Sequence, residues 1–376
     1  MPPKIESAEA LPLGLSITWT DAAQADFPWI WLRDHCRAPE SYDGATNQRR
    51  VDTFAIPADL AAESVAVGGA GAVLEVTWRQ EDLTSRYDSG FLRAQAFGEA
   101  RLPDRRLWED GPPEPARHRF DETLEGDAAL RRLLSDLWRD GLVLVQGLPS
   151  ETAATRRLAE RIGYVRETIF GGVWDFQADG ARADSAYSNE AIGLHSDGTY
   201  SEDPPGVQAL HCLAFDGEGA VNVFADGFRV AARLGAEAPE TYRLLSEVEV
   251  PAEYLGDGVH LLARHPVLGL DAAGGLRRVC FNNFDRAPFQ PRPVVTEAFY
   301  AALGRFHALL SDEDYHLRLQ LRPGLAVLFD NWRVLHARSG FTGHRRMAGF
   351  YLNHEDLESR LRMLLGQAAR SQSNGV

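Results

Sequence analysis

The chain has 376 residues, of which 44% are hydrophobic and 25% charged, and its formal net charge is −15. This length predicts two domains, or one large domain with an appendage, and this composition is typical of a globular protein. The acidic balance excludes nucleic acid as an expected partner, because phosphate binding depends on lysine and arginine.

The first hundred residues favour β-structure. Residues 72–78, AVLEVTW, alternate apolar and polar side chains as a half-buried strand does. The segment 103–117 is rich in proline and charge and has no periodicity, which is typical of a linker. We therefore expect a small β-rich N-terminal domain over 1–105 and a second domain over 116–376.

The second segment mixes helices with a larger number of strands. Leucines at helical spacing predict a helix over 127–141, with Asp127 as its N-cap and Gly141 as its stop. Strands without βαβ alternation predict an antiparallel barrel or jelly roll supported by helices. The remaining predicted elements are helices at 151–162, 294–310 and 354–366, strands at 142–149 and 346–353, and a hairpin over 316–332 that turns at Pro323-Gly324.

The cysteines and the apolar runs indicate the cellular compartment of the protein. Cys36, Cys212 and Cys280 are scattered and odd in number, which favours a reducing environment without a disulfide framework. No apolar run has the length of a signal-peptide core or a membrane span. The sequence therefore predicts a cytoplasmic protein with no membrane partner.

The stretch GLHSDGTYSEDPPG, residues 193–206, places His195 and Asp197 two residues apart. On an extended strand, residues i and i+2 point the same way, so the imidazole and the carboxylate are expected to converge. One interpretation is a hydrogen-bonded pair in which Asp197 fixes the imidazole tautomer. The other is a metal site whose third ligand is His336, which follows a buried strand. Two histidines and one carboxylate leave three adjacent positions open on octahedral Fe(II), two for a chelating 2-oxoacid and one for O2.

The metal interpretation also needs an anchor for the co-substrate. 2-Oxoglutarate carries a distal carboxylate, which an arginine grips through a bidentate, charge-assisted pair. Arg345 and Arg346 both follow His336 in the sequence. Strand alternation places Arg345 and Tyr351 on one face and Arg346 on the other. We therefore expect Arg345 to be the anchor.

Several stretches resemble the γ-butyrobetaine and trimethyllysine hydroxylases, which are Fe(II)- and 2-oxoglutarate-dependent oxygenases of the taurine dioxygenase superfamily. These stretches are WLRDHC, GLHSDGTY, PPGVQALHC, FNNFDRAP, LRPGLAVLFDNWRVLHARSGFTGHRR and GFYLNHEDLESRLRMLLG. The motif FDNWRVLHARSGFTG is closest to the trimethyllysine branch. The resemblance covers nearly the whole chain. It implies a mainly β fold with supporting helices: a small β-rich N-terminal domain and a double-stranded β-helix (jelly-roll) catalytic domain, in a homodimer.

The resemblance also implies the residues of the active site. It gives His195, Asp197 and His336 as iron ligands, and Arg345 and Asn222 as contacts of 2-oxoglutarate. The implied cofactors are Fe(II), 2-oxoglutarate as co-substrate, and O2.

The sequence departs from the family pattern in the N-terminal domain. These families often hold a structural zinc there with several cysteines and one histidine. Here Cys36 remains, whereas Ser41 stands where the pattern has a second cysteine and Asp82 stands near the expected histidine. One thiol cannot build a tetrahedral site of three cysteines and one histidine, so we expect no zinc.

The resemblance further implies an aromatic substrate pocket. A quaternary ammonium has no N–H to donate and is best held by aromatic faces, at roughly 0.5–2 kcal/mol per contact. The family's cage maps onto Trp174, Tyr187 and Tyr351, and Phe170 stands where butyrobetaine hydroxylases carry a further tyrosine. Gly198 stands where those enzymes place a carboxylate-binding tyrosine, which speaks against γ-butyrobetaine itself. Candidates for binding the other end of the substrate are Asp184, Tyr200, Asn283 and Arg286.

The expected function is hydroxylation of an unactivated C–H in a small trimethylammonium substrate, such as trimethyllysine or a relative. The same chemistry on 2-trimethylaminoethylphosphonate or γ-butyrobetaine is the alternative. A more distant class is a non-oxidative metal hydrolase or a betaine-binding protein, for which Glu202 and Asp203 are available as general bases. Arg345 discriminates between these classes, because a hydrolase has no use for a buried arginine opposite the triad.

Overall fold

A computed structural model describes residues 3–97, 102–177, 188–256, 258–290 and 293–373. The chain divides into two compact units, Met1–Arg101 with Arg370–Val376, and Leu102–Ala369. Trp108, inside the proline-rich segment, is buried in the second unit. The domain boundaries at 105 and 116 stay predictions.

The N-terminal unit contains two three-stranded antiparallel sheets, β1-β2-β3 and β6-β7-β8, and a short two-stranded ladder, β4-β5. Its core is aromatic, because Trp19, Trp29, Trp78 and Tyr87 pack together with leucine and isoleucine side chains. Its elements are β1 Ile5–Leu11, β2 Gly14–Trp19, β3 Gln24–Pro28, α1 Trp29–Asp34, β4 Tyr42–Asp43, β5 Gln48–Arg49, β6 Ala62–Gly68, β7 Val73–Trp78, β8 Thr84–Asp88 and α2 Ser89–Phe97.

The second unit carries the larger β-structure. Its helices are α3 Phe120–Glu125, α4 Asp127–Asp140, α5 Thr152–Ile162, α6 Gly227–Glu237, α7 Pro239–Glu247, α8 Pro293–Leu310 and α9 His354–Ser373. Its strands are β9 Ala116–Arg119, β10 Leu142–Gln146, β11 Trp174–Gln177, β12 Ile192–His195, β13 Val207–Asp216, β14 Asn222–Asp226, β15 Glu249–Gly256, β16 Val259–Pro266, β17 Leu268–Leu270, β18 Leu276–Val279, β19 Leu317–Leu319, β20 Leu325–Asp330, β21 Val334–Arg338 and β22 His344–Leu352.

Two sheets form the jelly roll of this unit. The larger has the order β11-β22-β13-β20-β10-β9, and the smaller has the order β12-β21-β14-β19. Neighbouring strands are antiparallel except β9 and β10. The inner faces pack against each other, as in the contact of Phe224 with Phe329. The outer face of the larger sheet packs on α4, α5 and α9, and that of the smaller sheet packs on α6 and α8.

The structure confirms the predicted fold class and corrects two details. Gly141 ends α4 in the left-handed conformation, with φ 81°, as expected. The N-cap of α4 is Gly126, however, and Asp127 is the first helical residue, where it pairs with Arg161. The predicted hairpin over 316–332 is wrong, because β19 pairs with β14 in the smaller sheet whereas β20 pairs with β10 and β13 in the larger one.

Within the part of the chain that the structure describes, no helix combines the length and apolar character that crossing a membrane requires.

Candidate metal centre and its pocket

His195 and His336 face each other across two neighbouring strands of the smaller sheet. His195 is the last residue of β12 and is the register partner of His336 on β21. Nδ1 of His195 lies 2.8 Å from the carbonyl oxygen of Gly193. Because a carbonyl oxygen can only accept, Nδ1 carries a proton, which leaves Nε2 as the nitrogen that can bind a metal.

Asp197 converges on the two histidines for a different reason from the one expected. β12 ends at His195, so Asp197 is not part of a strand and the alternation argument was wrong. Asn331 fixes its position instead: the Asp197 backbone N–H donates to Oδ1 of Asn331 at 2.9 Å, and Nδ2 of Asn331 donates to the Asp197 carbonyl oxygen at 3.1 Å. The same Nδ2 also donates to the carbonyl oxygen of Pro205 at 2.8 Å. A buried amide thus holds the turn after β12.

The three side chains form a cluster with the dimensions of a metal site. Oδ1 of Asp197 lies 3.1 Å from Nε2 of His195 and 3.8 Å from Nε2 of His336. One ligand atom from each residue lies within 4.8 Å of the others. Among the described residues this is the one group of at least three such side chains close enough to share an ion.

Burial and mutual charge set the protonation of this cluster. Burial alone would raise the pKa of Asp197, but the charge of His336, the hydrogen bond and charge of His195 and the hydrogen bond from Tyr351 outweigh it and hold the pKa below its usual range. Burial lowers the pKa of His336 to about 3, and the neighbouring His195 acts in the same direction. Burial also opposes the charge on His195, but the hydrogen bond and charge of Asp197 outweigh it and raise its pKa.

These donors fit Fe(II). They comprise two imidazole nitrogens and one carboxylate oxygen within 4.8 Å of one another, which is the donor set of a facial triad. Oδ2 of Asp197 is occupied by a hydrogen bond from the Tyr351 hydroxyl at 2.7 Å. The carboxylate therefore presents one oxygen, Oδ1, towards the imidazoles.

The pocket around this cluster lies between the two sheets. Aromatic rings form much of its wall, and the Trp174 and Tyr351 ring centroids are 5.6 Å apart. Its lining residues are Phe170, Trp174, Phe176, Ile192, His195, Asp197, Gly198, Tyr200, Gln208, Leu210, Asn222, Asn282, Phe284, Asp285, His336, Ala337, Arg338, Arg345 and Tyr351.

Arg345 faces this pocket and Arg346 does not, as strand alternation predicted. Arg345 is 6% exposed, and no carboxylate among the described residues forms an ion pair with it. Burial lowers its pKa to about 10, assisted by the charge of Arg338, so Arg345 stays protonated at neutral pH. Arg346 lies on the outer face, where its Nε donates to Asp175 at 2.9 Å. The pocket therefore contains a buried cation available to an anion.

The other predicted residues divide into three groups. Phe170, Tyr200 and Asn222 line the pocket. Asp184 and Tyr187 lie outside the described residues. Asn283 and Arg286 line a neighbouring groove with Tyr300 and His307 and do not reach the metal cluster.

A tight turn explains why Asn283 and Arg286 point elsewhere. Oδ1 of Asn282 accepts from the backbone N–H groups of Phe284 and Asp285, and its Nδ2 donates to the Asp285 carboxylate. This turn places Asn282, Phe284 and Asp285 on the pocket side. Asn283 and Arg286 line the groove instead, where the guanidinium carbon of Arg286 lies 5.3 Å from the centroid of the Tyr300 ring. The head-group role of Asn283 and Arg286 stays a prediction, and in this structure both residues line the groove.

Sequence reasoning missed several pocket residues. Arg338 stands two residues after His336 on the same strand, so alternation alone identifies it as facing inward. Gln208 is one of two polar residues, with His211, in the buried run of β13, which is also a visible signal. Asn282, Asp285 and Asn331 lie in turns, and their orientation depends on contacts that no sequence period encodes.

The sequence matches two family models. The model described as "Taurine catabolism dioxygenase TauD, TfdA family" matches residues 109–351, and the model "Gamma-butyrobetaine hydroxylase-like, N-terminal" matches residues 12–93. The chain belongs to the TauD, TfdA dioxygenase family.

Relatives of similar length give the branch within that family. The trimethyllysine dioxygenase of Meyerozyma guilliermondii is 34% identical over 93% of this chain and 93% of its own length. The γ-butyrobetaine dioxygenase of Pseudomonas sp. strain AK-1 is 34% identical over 96% of each chain. Among solved structures, an asparagine oxygenase aligns with 62% of this chain and 83% of its own, at 19% identity and a TM-score of 0.49.

Membership of this family gives the class of reaction. The chain is an Fe(II)- and 2-oxoglutarate-dependent dioxygenase of the γ-butyrobetaine and trimethyllysine group. The hydrolase and betaine-binding alternatives are not favoured.

Proposed function

We propose that this dioxygenase hydroxylates a small trimethylammonium compound, with trimethyllysine as the first candidate. The observation that carries the proposal is the aromatic wall of the metal pocket, where Trp174 and Tyr351 lie with ring centroids 5.6 Å apart. Aromatic faces attract a desolvated quaternary ammonium. The relatives named as trimethyllysine and γ-butyrobetaine dioxygenases support the same class of substrate.

In this proposal, His195, Asp197 and His336 hold Fe(II). The hydrogen bond from Nδ1 of His195 to the Gly193 carbonyl oxygen orients the ring so that Nε2 is the nitrogen offered to the metal. The hydroxyl of Tyr351 occupies Oδ2 of Asp197, which leaves Oδ1 as the single ligand oxygen. Bound Fe(II) and 2-oxoglutarate supply the oxidation, in which O2 is divided between the succinate formed with loss of CO2 and the hydroxyl of the product.

Arg345 is the proposed anchor of 2-oxoglutarate. Its buried guanidinium has no acidic partner in the described part of the chain, so a bound carboxylate would compensate its charge. Asn222, which lines the same pocket, is the proposed second contact. Trp174, Tyr351 and Tyr187 are the proposed cage, with Phe170 beside them. Tyr200, Asn282 and Asp285 are the proposed contacts of the substrate's other end.

We further propose that the N-terminal unit holds no zinc. Cys36 is a single buried thiol, and Oγ of Ser41 accepts from Nη1 of Arg33 at 3.2 Å. Nε of Arg33 donates to Glu81 at 2.7 Å, so an ion pair connects these segments without a metal. A homodimer and a cytoplasmic location complete the proposal; light scattering of the purified protein tests the first.

A succinate-release screen tests the proposed function. Trimethyllysine, γ-butyrobetaine and 2-trimethylaminoethylphosphonate are each offered with Fe(II), ascorbate and 2-oxoglutarate, and products are identified by mass spectrometry. We expect substrate-dependent succinate release and a hydroxylated product from at least one compound, and none from the His336→Ala variant. If no trimethylammonium compound stimulates turnover while the wild type retains iron, the substrate class is wrong.

A further inference from the structure

The amide oxygen of Gln208 is buried and has no hydrogen-bond partner in the described part of the chain. Its side chain is 2% exposed, and its Oε1 accepts no hydrogen bond. It stands in β13 between the apolar residues Val207 and Ala209. A buried acceptor without a hydrogen bond destabilises the folded state, so its retention points to a partner that binds in the pocket.

The strand register places Gln208 beside the aromatic wall. Its register partners are Tyr351 on β22 and Phe329 on β20. It lines the same pocket as Trp174 and the metal cluster. Arg345 lies six residues from Tyr351 along β22, which is about 20 Å of extended strand. Gln208 therefore lies at the end of the pocket where the rings are, away from the proposed anchor of 2-oxoglutarate.

We propose that the amide of Gln208 turns its oxygen towards the substrate's ammonium group when the substrate binds, and so determines which methylation states the pocket accepts. This inference rests on the proposed function, since it assumes that the aromatic wall holds the ammonium. A dimethylammonium has one N–H, which would form a charge-assisted hydrogen bond with Oε1. A trimethylammonium has only C–H groups, and these make a weaker contact with the same oxygen.

The role assigned to Gln208 differs from that of the rings. Trp174 and Tyr351 attract any desolvated organic cation, because cation–π attraction needs no N–H. An acceptor beside them adds affinity chiefly for cations with an N–H. Gln208 would therefore allow dimethylated amines to bind as well as trimethylated ones. An apolar residue in its place would favour the trimethylated form.

Binding of two probes to two proteins tests the inference. Trimethyllysine and Nε-dimethyllysine are titrated by calorimetry into the anaerobic Fe(II)–2-oxoglutarate complex of the wild type and of Gln208→Leu. Leucine keeps approximate size and removes the acceptor. We expect the affinity for dimethyllysine to fall about tenfold or more in Gln208→Leu, while the affinity for trimethyllysine changes much less.

Two further measurements separate this role from a structural one. Without ligands, Gln208→Leu should melt at the wild-type temperature or above, since an unsatisfied polar group has been removed. Its affinity for 2-oxoglutarate should be unchanged. An equal ratio of the two amine affinities in both proteins overturns the inference, as does a loss confined to 2-oxoglutarate. If wild type binds neither amine, the proposed function itself has failed.

Discussion

The hydroxyl of Tyr351 donates to Oδ2 of Asp197 at 2.7 Å, so one ring of the proposed cage is hydrogen-bonded to a proposed metal ligand. Tyr351→Phe keeps the aromatic face and removes this bond. We expect Fe(II) affinity to fall about tenfold or more, because partners of ligating side chains orient them, while ammonium affinity changes little. Anaerobic metal titration and ligand calorimetry measure the two effects. Unchanged metal affinity would show that the hydrogen bond does not orient Asp197.

The two adjacent arginines of β22 provide a matched pair. Arg345→Ala leaves the distal carboxylate of 2-oxoglutarate unpaired in a partly desolvated slot, a loss of about 2–5 kcal/mol. Arg346→Ala removes only an exposed ion pair with Asp175, which is worth little. The Michaelis constant for 2-oxoglutarate should therefore rise strongly in the first variant alone. Equal effects in both variants would contradict the proposed anchor.

Asn331 is expected to act through Asp197. Asn331→Asp replaces the donor that holds the Asp197 and Pro205 carbonyl oxygens with a repelling oxygen. We expect weaker Fe(II) binding, about tenfold, and rescue of turnover at high iron concentration. Trp332→Phe is the matched control, because it removes a hydrogen bond to Pro204 in the same loop without touching Asp197. If both variants lower metal affinity equally, general loosening of the loop is the cause.

The aromatic wall should distinguish charge from shape. Replacing the quaternary nitrogen of the substrate by a neutral tert-butyl carbon keeps its size and removes the cation–π attraction. Several aromatic faces at roughly 0.5–2 kcal/mol each predict at least about a hundredfold loss of affinity. Tyr187→Leu should reduce the difference in affinity between the charged and the neutral ligand, because it removes one aromatic face. Calorimetry on the anaerobic complex measures it, and equal affinities would remove the quaternary-ammonium class from consideration.

His354 predicts a pH dependence of stability outside the metal site. Burial would lower its pKa, but Asp330 and Glu358 outweigh burial and the repulsion of Arg105, and raise it to about 9. A raised histidine pKa stabilises the fold fully below its unfolded value of about 6.5, and this contribution is lost as pH rises towards 9. The loss amounts to about 3 kcal/mol at most. Urea denaturation between pH 6 and about 9.5 should show this slope, and His354→Gln should abolish it.

A second histidine serves as the control for that measurement. His344 is exposed at the start of β22, so His344→Gln should retain the wild-type slope. A wild-type slope in His354→Gln would assign the pH dependence to another group.

The sequence predicted the fold class and the ligands proposed for the metal centre, but not the contacts that position those ligands. Alternation along β22 assigned Arg345 and Arg346 to opposite faces because a strand has a fixed period of two. The same rule failed at Asp197, since β12 ends at His195 and an amide 134 residues away holds the following turn. Around Asn283 and Arg286, which the family resemblance offered for the substrate's other end, the hydrogen bonds of Asn282 decide which residues face the pocket. Periodicity predicts elements, whereas turns depend on contacts distant in sequence.

Gly349 shows how a residue without a side chain can control recognition. It lies opposite Trp174 in the register of β11 and β22, and a Cβ at this position would overlap the Trp174 ring and the carbonyl oxygen of Ala209. The indole therefore occupies space that only glycine leaves open. A substitution at Gly349 would displace the Trp174 ring and so alter the substrate pocket, while the metal-binding side chains stayed unchanged. A lineage that exchanged Gly349 would thus be free to acquire a new substrate while keeping its iron centre.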